Sequence, residues 1–326
     1  MLTRKRCGCH AITGAVALVL LVALSACARE EPVRIASHVW VGYEPMFLAR
    51  SLGWLDEALV TLQETASASE SMAALTAGQV DGAALTLDEV LQLREQGVDL
   101  TVVLVFNVSV GADVILARPP IATLADLAGR RVAFEHGAVG ELMIVEALRQ
   151  AGLTRADIEA VDLSANEQAT AYSDGMVDAV VTYEPAASLL QAEGAISLFD
   201  SSEIPEYIVD VLAVRSDRLG SGRVAALEHL VGSHLRALEY FLRNPQDAAY
   251  RMAERLGLPP AEVLSAYRGL VLPDLAGNYR LLQGDAASLR EAAQALVLFK
   301  VEQGLLSEKN DLGRLLSARF LPPLVR

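Results

Sequence analysis

A ten-residue pattern occurs twice in this chain without a gap. It reads Ala74-Leu75-x-x-Gly78-x-Val80-Asp81-Gly82-Ala83 and, 97 positions on, Ala171-Tyr172-x-x-Gly175-x-Val177-Asp178-Ala179-Val180. Each copy reads as a helix closed by a glycine, a turn, and a short buried strand. Glycine accepts the left-handed backbone that ends a helix, and the apolar run after the aspartate suits a strand covered on both faces. A repeated helix-turn-strand unit implies two lobes of similar build, and two lobes enclose a cleft.

Residues 1–26 read as an export signal, because Arg4-Lys5-Arg6 precedes an apolar run over 11–24 that is short for a membrane span. The run ends in Leu24-Ser25-Ala26-Cys27, which resembles the lipobox of bacterial lipoproteins. That resemblance implies that Cys27 becomes the first mature residue and carries the lipid anchor, and Ala28 after it leans toward the outer membrane of a two-membraned host. Cys7 and Cys9 leave with the signal, so no thiol remains for a disulfide, a nucleophile or a metal site. Cleavage also turns the net charge of −14 into −17, from 24 Lys and Arg against 41 Asp and Glu. Nucleic acid is therefore excluded as a partner. About 300 residues remain, enough for two lobes with their own cores.

From residue 33 short apolar runs alternate with amphipathic stretches, the signature of an α/β fold with largely parallel strands. Strands are expected at 33–37, 60–64, 82–85 and 102–106, with helices at 45–52, 70–77 and 87–96. After an extended crossing over 108–117 come strands at 132–135, 159–163 and 179–182, with helices at 139–151, 168–174 and 185–193. A second extended run, 208–214, returns the chain. Helices follow at 223–243, 245–256, 260–267, 286–302 and 312–320, a tail expected to pack on the outside of the first lobe. This divides the chain into a signal (1–26), a linker (27–32), a first lobe (33–112 plus 213–326) and a second lobe (113–212).

Trp40-Val41-Gly42-Tyr43-Glu44-Pro45 after the first strand resembles the start of the periplasmic solute-binding proteins of the nitrate, sulfonate, taurine and thiamine-precursor importers. Further matches follow in order: Ala49-Arg50-x-x-Gly53, Gly78-x-Val80-Asp81, Ser109-x-Gly111-Ala112-Asp113, Asp126-Leu127-x-Gly129-Arg130-x-Val132-Ala133, Gly152-Leu153, and Gly175-x-Val177-Asp178-Ala179 through Tyr183-Glu184-Pro185. The resemblance covers 33–215. It implies a type II periplasmic binding protein, two-lobed with two interlobe crossings, that closes on a small molecule and delivers it to an ABC permease and its ATPase. A monomer is expected.

Ligands in such sheets collect beyond the carboxyl ends of the strands. That rule selects Trp40, Tyr43, Ser67, Thr86, Asp88, Ser109 and Asp113, then Glu135, Gly137, Tyr183, Glu184 and Asp210. Trp40 and Tyr43 offer flat faces to a ligand, or else pack beneath the loop as core. The helix starting at Pro45 and the turn 137–140 present N–H groups suited to anions. The acids at these strand ends are Asp88, Asp113, Glu135, Glu184 and Asp210, with no Lys or Arg among them. Carboxylates shut into a cleft need a donor or cation, which points to a ligand bearing an amine, amidine or protonated heterocycle, such as taurine or a thiamine-precursor pyrimidine. Glu184 is the leading candidate, while Asp88 also suits a helix cap and Asp113 a bond across the crossing.

An enzyme resembling thiamine-pyrimidine synthases would need the cysteine-rich motif that the mature chain lacks. His38, His136, His229 and His234 show no ligand or nucleophile spacing, and 135–140 lacks the lysine and glycines of a phosphate loop. No enzyme activity, cofactor or metal is expected. A sensor that binds without transport stays open.

Overall fold

A computed structural model of the protein describes residues 31–283, 288–307 and 311–324. The expected signal and lipidated Cys27 lie outside them. The first lobe is built from β1 (Val33–Ser37), α1 (Glu44–Ser51), β2 (Val60–Glu64), α2 (Ala68–Thr76), β3 (Gly82–Thr86), α3 (Leu87–Glu95) and β4 (Leu100–Ser109). The second comprises β5 (Asp113–Ala117), β6 (Arg131–Phe134), α4 (Val139–Gln150), β7 (Glu159–Asp162), α5 (Ala165–Ser173), β8 (Ala179–Tyr183), α6 (Ala186–Ala192) and β9 (Ile196–Asp200). The chain then returns through β10 (Val209–Arg215) to α7 (Val224–Arg243), α8 (Pro245–Leu256), α9 (Pro260–Val263), β11 (Leu270–Val271), α10 (Leu275–Leu282) and α11 (Ser288–Glu302). The sheet orders are β11-β4-β10-β3-β1-β2 and β7-β6-β8-β5-β9.

The sequence repeat has a common mechanical role in both lobes. Gly78 (φ +70°) and Gly175 (φ +72°) end their helices in the left-handed region. The aspartate that follows each then ties down a neighbouring strand. Asp81 Oδ2 accepts the Arg34 N–H at 2.9 Å beside β1, and Asp178 Oδ2 accepts the Arg131 N–H at 2.9 Å at the start of β6. The acid thus fixes where the next strand over begins, and the buried strand after it, β3 or β8, pairs in parallel with that strand.

Two crossings join the lobes, at 110–112 and 201–208. The Ser201 hydroxyl holds them together, sharing a hydrogen bond with Ser109 Oγ at 2.7 Å and accepting the Gly111 N–H at 2.7 Å. β10 belongs to the first sheet along its whole length, since Val209 already pairs with Val108 and Asp210 with Asn107. The expected boundary at 212/213 therefore falls inside a strand of the first sheet.

The tail differs most from expectation. Residues 312–320 form no helix and 260–267 is broken into shorter turns, while β9 and α10 are additions. The reason lies in the otherwise open edge of β4. Val102 donates its N–H to the Leu315 carbonyl (2.7 Å) and accepts the Ser317 N–H (2.9 Å). The Asn278 amide takes both the N–H and the C=O of Val105. β11 covers Val108 and Ser109. Exposed strand edges invite pairing with other chains, and this one is capped along its length by tail segments. Asp88, expected at the cleft, instead forms a buried ion pair with Lys300 of α11, because the side of α3 that carries it packs against the tail while Glu89 beside it faces the cleft.

Removing one partner of a buried pair strands the other charge. Lys300→Met should cost about 3–5 kcal/mol in urea unfolding, and the Asp88→Leu/Lys300→Met double variant substantially less. A single-variant cost below about 1 kcal/mol, the range of an exposed pair, would contradict the buried pairing.

Candidate functional site

The parallel strands of both sheets end on one cavity, lined among others by His38, Trp40, Tyr43, Thr86, Glu89, Asp113, Glu135, Val139, Gln168, Thr182, Tyr183 and Asp210. Register explains the gathering. Asp210 lies opposite Thr86 on one side and Asn107 on the other, with an irregularity just after it, and Asp113 lies opposite Tyr183 in the second sheet. The antiparallel strands β5 and β10 thus contribute their first residues at the end where the parallel strands contribute their last.

A chain of hydrogen bonds fixes the first-lobe wall. Trp40 Nε1–H donates to Asn107 Oδ1 (3.2 Å), Asn107 Nδ2–H to Asp210 Oδ2 (2.6 Å), and the Tyr43 hydroxyl to Asp210 Oδ1 (2.5 Å). Gly42 permits this approach, since a Cβ there would lie 1.7 Å from Asn107 Oδ1. Tyr43 is both core and cavity wall, its ring edge-on to Phe106 at 5.1 Å and to His38 at 5.3 Å. Trp40 and Tyr183 meet edge to face at 5.2 Å.

Four carboxylates face this space and no Lys or Arg lines it. Burial, together with neighbouring Asp113 and against the Tyr43 and Asn107 hydrogen bonds, pushes Asp210 up to about 7. Burial, opposed by the Thr86 N–H and reinforced by Asp88, Glu135 and Asp210, pushes Glu89 up to about 8. Asp113 rises to about 6 through burial. His38, desolvated and near Arg255, is held down at about 3 and so is neutral.

Several buried polar atoms of the lining have no partner: Asp113 Oδ2, Gln168 Oε1, Thr182 Oγ1 and His38 Nδ1. The carboxylate and amide oxygens only accept hydrogen bonds, so a ligand must bring N–H or O–H groups to them. About 20 Å³ is open to the centres of water-sized molecules, room for one or two of them. A ligand of several heavy atoms enters only when the lobes part. Among the described residues no group of three or more His, Cys, Asp or Glu is arranged to hold a metal ion.

Of the residues expected from sequence, Trp40, Tyr43, Thr86, Asp113, Glu135, Tyr183 and Asp210 line the cavity. The others sit elsewhere. Ser67 caps α2 by accepting the Glu70 N–H, and Ser109 bonds Ser201 at the crossing. Gly137 (φ +72°) turns the chain after β6 and donates its N–H to Glu141. Glu184 accepts from the N–H and hydroxyl of Ser188, one turn along, so its carboxylate is spent on its own helix. Among the polar lining residues, Glu89, Gln168 and Thr182 were the omissions, and Glu89 was the one with a sequence signal. Thr86-x-x-Glu89 is a capping box, and that spacing could have placed the acid at the strand end.

Two sheets joined by two crossings, with a buried polar cavity where their strand ends meet, define a two-lobed binding-protein fold. Residues 40–248 match the family model described as NMT1/THI5 like, and the chain belongs to that family. It is 29% identical over 239 residues to a putative aliphatic sulfonates-binding protein of Escherichia coli K12, covering 70% of this chain and 74% of that one. It is 22% identical over 278 residues to the taurine-binding periplasmic protein of the same organism, covering 81% and 84%. The alkanesulfonate-binding protein SsuA of Xanthomonas axonopodis pv. citri, solved bound to MOPS, superposes with a TM-score of 0.73 at 22% identity, covering 90% of this chain and 99% of SsuA. The desulfurization enzyme DSZB shares the fold at a TM-score of 0.64 and 20% identity, covering 90% and 98%.

Gly42→Ala should displace Asn107, leave Asp210 short of a donor, and cost about 1–3 kcal/mol in urea unfolding. A carboxyl with a pKa raised by folding stabilises the fold at acid pH and gives that up as pH climbs toward the folded value. Buried His38 and His234, both held at about 3, work in the opposite sense but are finished by pH 6.5, their ordinary value. Between pH 6.5 and 8 the ligand-free protein should therefore lose roughly 3 kcal/mol, chiefly through Glu89, with Asp210 and Glu44, the latter pushed up to about 7 by burial against the pull of Arg255, contributing less. Glu89→Gln should flatten that slope in thermal melts at fixed ionic strength.

Proposed function

We propose that this protein captures a small organic ligand carrying a protonated amine, amidine or ring nitrogen by lobe closure, and delivers it to an ABC importer at the outer face of a membrane, where a lipid on Cys27 anchors it. The observation that carries the reading is the cavity itself: four buried carboxylates, three aromatic rings and unpartnered acceptor atoms, with no Lys or Arg. An organic cation supplies donors to the acceptors, charge to the acids and a partner for the ring faces of Trp40 and Tyr183.

Closure follows from the same chemistry. Asp210 and Glu89 belong to the first lobe, Glu135, Gln168 and Thr182 to the second, so a ligand bonded to both sets stabilises the closed arrangement through contacts that parted lobes cannot make. The names of its curated relatives, both binding proteins, support transport over catalysis. Among the ligand types named for those relatives, taurine with its ammonium group fits an acid-lined cleft better than a bare anion, and a cation without an anionic end fits it better still.

Purified without its lipid, unfolded, and analysed by mass spectrometry, the protein should release a nitrogen-bearing cation or zwitterion. In a thermal-shift series, such a ligand at a hundred times its dissociation constant adds about 2.7 kcal/mol. Stabilisation only by inorganic anions would overturn the reading.

A further inference from the structure

Two carboxylates cross the cleft in opposite directions. Glu89, on α3 of the first lobe, accepts the N–H of Val139 at 3.3 Å, the first residue of α4 in the second lobe. Its other oxygen accepts the Thr86 N–H of its own capping box at 2.8 Å. Glu135, just beyond β6 of the second lobe, accepts the N–H of Ser69 at 2.7 Å, in the first turn of α2 in the first lobe. First-turn N–H groups are where a helix favours negative charge. One place that each lobe offers an anion is therefore taken by a carboxylate of the other lobe. Of the polar atoms left over in the cavity, Asp113 Oδ2 and Gln168 Oε1 accept only, and both residues are at least nine-tenths buried, while Thr182 Oγ1 and His38 Nδ1 can donate or accept.

We propose that Glu89 and Glu135 determine specificity by excluding anionic ligands. Each stands where the sulfonate or carboxylate end of a ligand would find helix N–H donors, and each, once ionised, adds a negative charge that repels such a group. The exclusion works by occupation and by charge together, and it selects from ligands of similar size those whose polar end is cationic. This deepens the reading of the cleft as a ligand site and rests on it.

The test titrates ethanesulfonate and a protonated primary amine of similar size, propylammonium, into wild type, Glu135→Ala, Glu89→Ala and the double variant, following Trp fluorescence and thermal stability. Glu135→Gln and Glu89→Gln serve as isosteric variants should an alanine variant fail to fold. Ethanesulfonate should show no saturable binding to wild type at millimolar concentration and should gain at least tenfold in affinity when either carboxylate is removed, most in the double variant. Wild type binding ethanesulfonate as tightly as the folded variants, or no gain in any folded variant, overturns the proposal. The amine arm reads separately. Propylammonium bound by wild type and weakened by the substitutions upholds the cationic cleft whatever ethanesulfonate does, while a gain for ethanesulfonate with no amine binding to wild type upholds exclusion and removes the cationic reading.

Discussion

Negative charge buried without a basic side chain is the condition around which the rest of the cleft is arranged. Isolated ions in a low-dielectric interior are too costly to persist, so they are neutralised, hydrogen-bonded or matched by a partner. The structure uses the first two means. Asp210 is gripped by Tyr43 and Asn107, Glu89 and Glu135 lie on helix N-termini, and raised affinities for protons leave Glu89 and Asp210 partly neutral near pH 7. In the function proposed above, the third means falls to the ligand, which would make it an electrostatic component of the closed protein.

The scaffold holding these acids is indifferent to them. Asp81 and Asp178 perform the same backbone tie in the two lobes, at the end of each sheet remote from the cleft, and their carboxylates face arginines: Arg34, Arg218 and Arg223 around Asp81, Arg131 beside Asp178. Acids at one end of the strands are thus paired with cations and serve structure. The four acids that line the cavity at the other end have no Lys or Arg among their fellow lining residues, and binding is the use proposed for them. The polarity of parallel strands, with turns behind and strand ends in front, separates the two uses within a single chain.

Much of this was legible before any coordinates. Apart from β9, period and punctuation gave the strands and helices of both lobes to within a residue or three, because each parallel strand is a continuous apolar run bounded by turn residues. The strand-end rule reached Asp113, Glu135 and Asp210. It could not separate Asp88 from Glu89, since adjacent residues on a helix face directions about 100° apart and only packing tells which faces the tail. Glu184 misled for a related reason: an acid at a helix start serves that helix's own N–H groups as readily as a ligand. The tail resisted because Leu312, Leu315 and Leu316 satisfy a helical spacing, while the deciding factor, an unpaired edge on β4, lies more than 200 residues earlier in the chain.

That edge has a consequence for the order in which the molecule can assemble. The second sheet is drawn from one unbroken stretch, 113–200, and has every strand it needs once that stretch is available. The first sheet combines 33–109 with 209–215 and 270–271, and its outermost hydrogen bonds come from Asn278 and from residues 315–317. A chain delivered from its N-terminus thus begins the first lobe earliest and finishes it last. Until residues 315–317 arrive, the long apolar β4 keeps free N–H and C=O groups along one side, which leaves this segment in need of protection while more than 200 further residues are delivered.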